Sequence, residues 1–219
     1  TALMKQLTHT QLLELDAQYC WHPFTQMQTA APPLAVVRGE GEFLFDAQGN
    51  KYFDAVSSWW VNIHGHSNPT IAKAIALQAL ELEHVMFAGV THPPAVQLAE
   101  RLVHNAPAPM AKVFYSDNGS TAIEVALKMA FQYWQNKGVA SKNRIVALEG
   151  GYHGDTFGAM ATGKSSGFYA PFAPWLFHVD FIPTGVCACM EEQALAALDH
   201  LLANSAGEIA ALVLEDRKS

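Results

Sequence analysis

The chain has 219 residues, of which 50% are hydrophobic and 15% are charged. This is enough apolar material for one large domain, alone or with a small appendage. The net charge is −7, and the scattered Lys and Arg form no basic stripe, so we expect no nucleic acid partner.

The cysteines and apolar runs favour a cytoplasmic protein without a membrane span. Cys187 and Cys189 are too close in sequence for an ordinary disulfide, and Cys20 is far from both. An odd count without a disulfide framework favours a reducing compartment. A Cys-x-Cys pair is one way to hold a metal, but no second pair follows, and no histidine pair has ligand spacing on a helix. Residues 1–10 lack a signal core, and no apolar run is long enough to cross a membrane, so we expect neither a metal nor a membrane partner.

Residues 1–68 predict a small N-terminal segment with one short helix and a β-hairpin. Pro23 forces an extended lead-in, and Pro32 marks a further break before the strands begin. In chain order we predict a helix at 8–18, strands at 34–38, 42–46 and 51–55, and a turn at 47–50.

Residues 69–219 predict a domain of the α/β class. Apolar residues recur there at helical spacing, and short buried-strand patterns alternate with them. We predict helices that begin at Pro69, Pro93 and Ser120, a helix at 191–203, and strands at 112–115, 144–148, 177–182 and 210–214. Such alternation is typical of a mostly parallel sheet with helices on both faces. Ligands of such sheets bind at the carboxyl ends of the strands, where 116–121, 150–155 and Glu215 lie.

The first of these segments, 116–121, predicts an anion site. A strand ends there, Gly119 allows a tight turn, and a helix begins near Ser120. The helix N-terminus offers free N–H groups and partial positive charge, and the hydroxyls of Ser120 and Thr121 add donors, so a phosphate fits best. Taken alone, the motif is better explained as a plain helix cap by Asn118 or Ser120. It lacks the glycine spacing of a dinucleotide site and the Gly-Lys of a P-loop.

The second segment, 150–155, predicts a platform for a flat ring. Its glycines let the loop expose Tyr152 and His153 at the edge of the sheet, and a tyrosine face stacks well on a planar ligand. A Gly-rich loop with an amphipathic Tyr at a domain seam explains the pattern equally well.

Two adjacent tryptophans, Trp59 and Trp60, follow Ser57 and Ser58. In an extended chain they point to opposite sides, so we expect one to be buried and the other to face a pocket or an interface.

These segments together resemble one enzyme family. From residue 21 to 215 the chain is similar to the class III aminotransferases of pyridoxal phosphate fold type I, and among them to the adenosylmethionine–8-amino-7-oxononanoate aminotransferases of biotin synthesis. The resemblance is strongest in WHPFT at 21–25, SSWW at 57–60, HVMF at 84–87, GVTH at 89–92, NGS at 118–120, EVALKMA at 124–130 and GYHGDTFGAM at 151–160. The phosphate motif alone indicates only the wider class, whereas the two Trp-containing motifs point to this member.

The resemblance implies that 69–219 are the first part of a large cofactor-binding domain whose cofactor is pyridoxal 5′-phosphate. It also implies a role for each site residue. Gly119 and Ser120 would hold its phosphate, and Tyr152 would lie against its ring and the substrate. Trp59 would line the substrate pocket, and Glu215 would end its strand near the ring. The substrates implied are S-adenosylmethionine and 7-keto-8-aminopelargonate, and the complete enzyme is expected to be a homodimer.

The chain departs from the family pattern in three ways. Family members are about twice as long, and their other half should supply the Schiff-base lysine, the Asp that pairs with the pyridinium nitrogen and the small C-terminal domain. After Glu215 the family continues with Pro, so 216–219 suggest a truncation or a frame change. Phe24 stands where relatives have Tyr, which removes a hydroxyl from the expected substrate site.

No lysine of the chain has the setting that a Schiff base needs. Lys128 lies opposite the apolar side of its helix, Lys164 lies in a flexible stretch, and Lys218 is next to the end. We therefore predict the N-terminal half of an aminotransferase, inactive alone, with exposed apolar surface. Two alternatives stay open: a non-catalytic phosphate-binding remnant, and a fragment that needs a second chain.

Overall fold

The structure is a computed structural model that describes residues 7–163, 167–185 and 188–215. It divides into two compact units, Thr1–Val96 and Gln97–Ser219. The sequence pattern places a boundary earlier, at residue 69, where strands give way to helices. That division into 1–68 and 69–219 stays a prediction about the domains of the complete protein.

The first unit begins with a helix and a three-stranded antiparallel sheet. Helix α1 is His9–Tyr19, and Thr8 and Gln11 close its N-terminus in a reciprocal capping box. The strands are β1 (Val36–Glu40), β2 (Phe43–Asp46) and β3 (Lys51–Phe53), paired in the order β1-β2-β3. The predicted helix and hairpin are confirmed.

Asp46 organises the turn between β2 and β3. Its carboxylate accepts hydrogen bonds from the amides of Gln48 and Asn50 and from the hydroxyl of Tyr52, each 2.9 Å long. The Asn50 side chain also donates to it, at 2.8 Å. These donors, with Asn50 first among them, lower the pKa of Asp46 from 3.8 to about 2.

Helices complete the first unit and lead into the second. A single turn, α2, covers Ser57–Trp60. Helix α3 is Pro69–Glu81, which Asn68 caps and Pro69 begins, as the sequence predicts. Helix α4, Pro93–Asn105, crosses the division between the two units.

The second unit is built on a parallel sheet. Helices and strands alternate in it as α5 (Gly119–Asn136), β4 (Arg144–Leu148), α6 (Phe157–Thr162), a 3₁₀ helix (Gly167–Trp175), β5 (Asp180–Ile182), α7 (Ala188–Ser205) and β6 (Ile209–Val213). Both β5 and β6 pair in parallel with the central β4. The core is formed by Leu127, Ile145, Ala147, Ala161 and Val179. The α/β class and the parallel sheet are confirmed.

One predicted strand is wrong. Residues 112–115 have no regular secondary structure, and Phe114 is 65% exposed. A strand needs a neighbour to accept its backbone hydrogen bonds, and within the described ranges none pairs with this segment. The apolar pattern alone does not supply that neighbour.

Within the described part of the chain, no helix combines the length and apolarity needed to cross a membrane.

Candidate functional site

The N-terminus of α5 is closed by a capping box. The side chain of Asn118 accepts a hydrogen bond from the amide of Thr121 at 3.0 Å, and the Thr121 hydroxyl accepts one from the Asn118 amide at 3.1 Å. Thr121 Oγ1 also lies 2.6 Å from Ser116 Oγ. The sequence predicts that the Thr121 hydroxyl faces a ligand, and this is wrong, because the hydroxyl is used inside the cap.

The cap leaves the first two amides of α5 open. The N–H groups of Gly119 and Ser120 have no hydrogen-bond partner among the described residues. A Cβ placed on Gly119 would have no heavy atom within 4 Å, so the space beside it is empty of protein. The cap and an anion site are therefore compatible, because Asn118 accepts from the third amide and the first two amides stay open.

Ser120 also joins α5 to the loop after β4. Its Oγ accepts a hydrogen bond from the Asp155 amide at 3.3 Å, which leaves the hydroxyl proton as a donor. Gly154 lies so close that a Cβ on it would overlap Ser120, and its φ of 123° suits only glycine. Two of the three predicted ligand segments, 116–121 and 150–155, are thus brought together.

Tyr152 is held at both ends while its ring stays half-exposed. Its amide donates to Glu215 Oε2 at 2.9 Å, and its hydroxyl donates to Asp155 Oδ2 at 3.1 Å. Burial, followed by the hydrogen bond to Asp155, raises the pKa of Tyr152. Tyr152 is 52% exposed, so the loop presents a fixed aromatic residue. Glu215, the third predicted ligand segment, follows β6, and its hydrogen bond to Tyr152 joins it to the other two.

His153 is less accessible than the sequence suggests. The ring is half-buried, and its Nε2 is enclosed without a hydrogen-bond partner among the described residues. Burial lowers its pKa, and the charge of Glu215 opposes this in part. His153 therefore tends to stay neutral, because protonation would place a charge in a shielded position.

Phe24 and Trp59 contact each other in the first unit. Their ring centroids are 5.7 Å apart at an interplanar angle of 65°, an edge-to-face pair. Both have positive φ, 55° for Phe24 and 60° for Trp59, which side chains rarely adopt. The predicted burial of one tryptophan is wrong, since Trp59 is 63% and Trp60 78% exposed. The extended conformation expected for 57–60 is also wrong, because these residues form a left-handed turn.

Asp54 holds this left-handed turn. Its carboxylate accepts hydrogen bonds from the Ser58 amide at 3.0 Å and the Ser58 hydroxyl at 2.7 Å. His66 Nε2 lies 2.8 Å from the same carboxylate. The two bonds from Ser58, and then His66, lower the pKa of Asp54 from 3.8 to about 2. Sequence reasoning missed Asp54, although Asp side chains commonly accept hydrogen bonds from nearby backbone amides.

The structure describes only some of the lysines and cysteines that the sequence singles out. Lys128 is exposed on α5, whereas Lys164 and Lys218 lie outside the described residues. Cys187 and the side chain of Cys189 are not among the described positions either. In the part that the structure describes, no three His, Cys, Asp or Glu side chains are grouped to hold a metal ion.

Comparisons with known proteins agree with this architecture. The chain is 48% identical over 204 residues to the adenosylmethionine-8-amino-7-oxononanoate aminotransferase of Synechococcus elongatus, covering 90% of the chain and 47% of that protein. It is 40% identical over 216 residues to the enzyme of that name from Geobacter sulfurreducens, covering 93% and 48%. The chain spans about half the length of these curated relatives.

Solved structures give the same result. The crystal structure of the adenosylmethionine-8-amino-7-oxononanoate aminotransferase from Methanocaldococcus jannaschii superposes with a TM-score of 0.83 at 39% identity, over 92% of this chain and 45% of that one. An omega transaminase from Pseudomonas jessenii in complex with PMP gives a TM-score of 0.82 at 29% identity, over 92% and 48%. The fold is therefore that of the transaminases of fold type I.

A comparison with protein families gives a more specific assignment within the transaminases. The family described as Aminotransferase class-III matches residues 25–219. The chain belongs to this family.

Proposed function

We propose that this chain carries the phosphate and ring sites of an aminotransferase that uses pyridoxal 5′-phosphate. The complete enzyme would act in biotin biosynthesis, transferring an amino group from S-adenosylmethionine to 7-keto-8-aminopelargonate. The relatives named for this activity support the substrates. The observation that carries the proposal is the pair of open amides at Gly119 and Ser120 beside the fixed ring of Tyr152.

The residues present fit the cofactor. The amides of Gly119 and Ser120, with the Ser120 hydroxyl, would hold its phosphate at the positive end of α5. The exposed face of Tyr152 would lie against its ring, while Glu215 keeps the Tyr152 loop in place. When bound, the cofactor supplies the carbonyl that accepts the amino group and a ring that takes up electrons.

By the resemblance, Phe24 and Trp59 are proposed to bind substrate, as is Tyr152. The edge-to-face pair offers an apolar surface suited to the aliphatic chain of the keto acid. Because Phe24 lacks a hydroxyl, it can contribute packing but no hydrogen bond. We further propose that the complete enzyme works as a homodimer.

Titration with inorganic phosphate and with pyridoxal phosphate tests the proposal. Without a covalent link we expect affinity on the order of millimolar, about −4 kcal/mol, with NMR shifts at 118–121. Gly119→Val should abolish binding without unfolding the protein, because its side chain would fill the space meant for the phosphate. Gly207→Val is the matched control, since Gly207 also has open space beside it. Unchanged phosphate binding by a folded Gly119→Val variant would reduce the site to a helix cap.

A second candidate function is non-catalytic binding of a phosphorylated ligand. The anion site and ring platform lie within the second unit, and the described lysine on α5, Lys128, is exposed. Incubation with pyridoxal phosphate followed by borohydride reduction separates the two functions when it is done on the complete enzyme as well as on this chain. We expect no labelled lysine in this chain under either function. A defined labelled lysine in the other half of the complete enzyme favours the aminotransferase, whereas reversible binding without any labelling favours the binding function.

A further inference from the structure

Two side chains of α5 meet two glycines of the following loop and helix with the same spacing. Ser120 and Glu124 are four residues apart and therefore lie on one face of α5. Opposite them, Gly154 and Gly158 are also four residues apart. A Cβ on Gly154 would overlap Ser120, and a Cβ on Gly158 would overlap the Glu124 carboxylate.

Glu124 makes the deeper of these two contacts. Its Oε1 accepts hydrogen bonds from the amides of Gly158, at 2.7 Å, and Ala159, at 3.3 Å. These amides belong to the first turn of α6, which Thr156 does not cap through its side chain. The carboxylate of one helix thus satisfies the N-terminus of the other, a charge-assisted contact that fixes their separation.

These contacts link the helix that begins with the open amides to the loop that carries Tyr152. The two open amides lie at the start of α5, and the loop that carries Tyr152 ends where α6 begins. Any shift of α6 along α5 would move Tyr152 relative to Gly119. Glu124 itself is one turn further along α5 than Ser120, outside the set of groups that would touch a ligand.

We propose that Glu124 is a positioning residue that sets the ring platform at Tyr152 relative to the phosphate site at Gly119 and Ser120. This inference rests on the proposed function. A positioning role predicts different effects on the binding of two ligands. Inorganic phosphate needs only the amides of α5, whereas pyridoxal phosphate also needs the platform at the correct distance.

The test compares these two ligands on the same variants. Dissociation constants for inorganic phosphate and pyridoxal phosphate are measured by calorimetry or NMR for the parent chain, Glu124→Ala and Glu124→Gln. Lys128→Ala is the control, because Lys128 lies one turn further along α5 and is exposed. Glu124→Gln keeps an acceptor oxygen for Gly158 and tests rescue.

Glu124→Ala should weaken the binding of pyridoxal phosphate by about tenfold, because a hydrogen bond to a charged group contributes about this much to holding the platform in position. The binding of inorganic phosphate should change by no more than about twofold. Glu124→Gln should lie between Glu124→Ala and the parent, and Lys128→Ala should match the parent. A general loss of protein stability would instead weaken the binding of both ligands equally.

Three outcomes would overturn the inference. An unchanged ratio of the two constants in both Glu124 variants excludes a positioning role while leaving the proposed function intact. Equal weakening of both ligands assigns Glu124 to stability alone. A parent chain that binds neither ligand removes the proposed function and this inference with it. If Glu124→Ala does not fold, the ratio measured for Glu124→Gln decides.

Discussion

At the scale of single residues, Gly154 is the tightest point of the site. Its φ of 123° and its approach to Ser120 leave no room for a side chain. We predict that Gly154→Ala destabilises the protein by roughly 1–3 kcal/mol, the usual cost of overpacking with backbone strain. The free energy of unfolding in urea measures this.

Gly119→Ala provides the comparison for that measurement. Nothing lies within 4 Å of the position that its Cβ would take, and its φ is not positive. Its unfolding free energy should stay within about 0.5 kcal/mol of the parent. Equal stability of the two alanine variants would contradict the close packing of Gly154 on Ser120.

The local structure around most site residues was predictable from sequence at this scale, but their partners were not. The helix start at Gly119 and the loop around Tyr152 follow from local patterns of glycine and strand ends. The links from Tyr152 to Glu215 and from Glu124 to Gly158 join residues far apart in the chain. Glu124 had one sequence signal, a spacing of four from Ser120 that matches the spacing of Gly154 and Gly158.

At the scale of elements, the left-handed turn at Ser57–Trp60 shows how a local preference is overridden. Left-handed backbone costs roughly 1–2 kcal/mol per residue for side chains other than glycine, so no propensity rule predicts it. Asp54 offsets this cost through two hydrogen bonds from Ser58. The strand expected at 112–115 failed for a related reason, because its pairing depends on a distant neighbour.

Acid should weaken this turn through Asp54. Its folded pKa of about 2 lies below the ordinary 3.8, so its contribution to stability is fully present above 3.8. We predict that the contribution falls as the pH drops from 3.8 towards 2, because the protonated acid is a poorer acceptor. Asp46 has the same shift and adds to the effect. The urea midpoint followed across this pH range is the measurement.

Asp54→Asn isolates the contribution of one carboxylate. The variant should be less stable than the parent at neutral pH. Its stability should fall less than that of the parent between pH 3.8 and 2, because only the contribution of Asp46 is still lost there. Asp16→Asn removes another Asp–His contact of the first unit, at His22, and serves as the control. An identical decline in parent and Asp54→Asn would show that Asp54 does not act through this turn.

At the scale of the whole molecule, many large apolar side chains of the described residues are exposed. Leu80 is 87% exposed, Phe168 81% and Trp175 78%. In the described sheet, β5 and β6 each have only β4 as a neighbour, so each presents an unpaired edge. Such edges and patches favour association with other chains.

We therefore expect the 219-residue chain to self-associate. Analytical ultracentrifugation over a wide concentration range should show species larger than a monomer. Because apolar contacts drive this association, it should persist in about 1 M salt, where charges are screened over roughly 3 Å. A single monomeric species at every concentration would be incompatible with this expectation, and dissociation by salt would point to charges instead.

The contacts between α5 and the segment that begins at Gly154 also bear on the order of folding. Ser120 and Asp155 are 35 residues apart, and Glu124 and Gly158 are 34 apart, so both contacts close moderate loops around β4. The bond from Tyr152 to Glu215 spans 63 residues and carries a higher entropic cost of closure. During synthesis, α5, β4 and α6 can therefore associate before Glu215 has left the ribosome. The proposed anion site would therefore form on a nascent chain, and the Tyr152 loop would become fully fixed only when β6 docks.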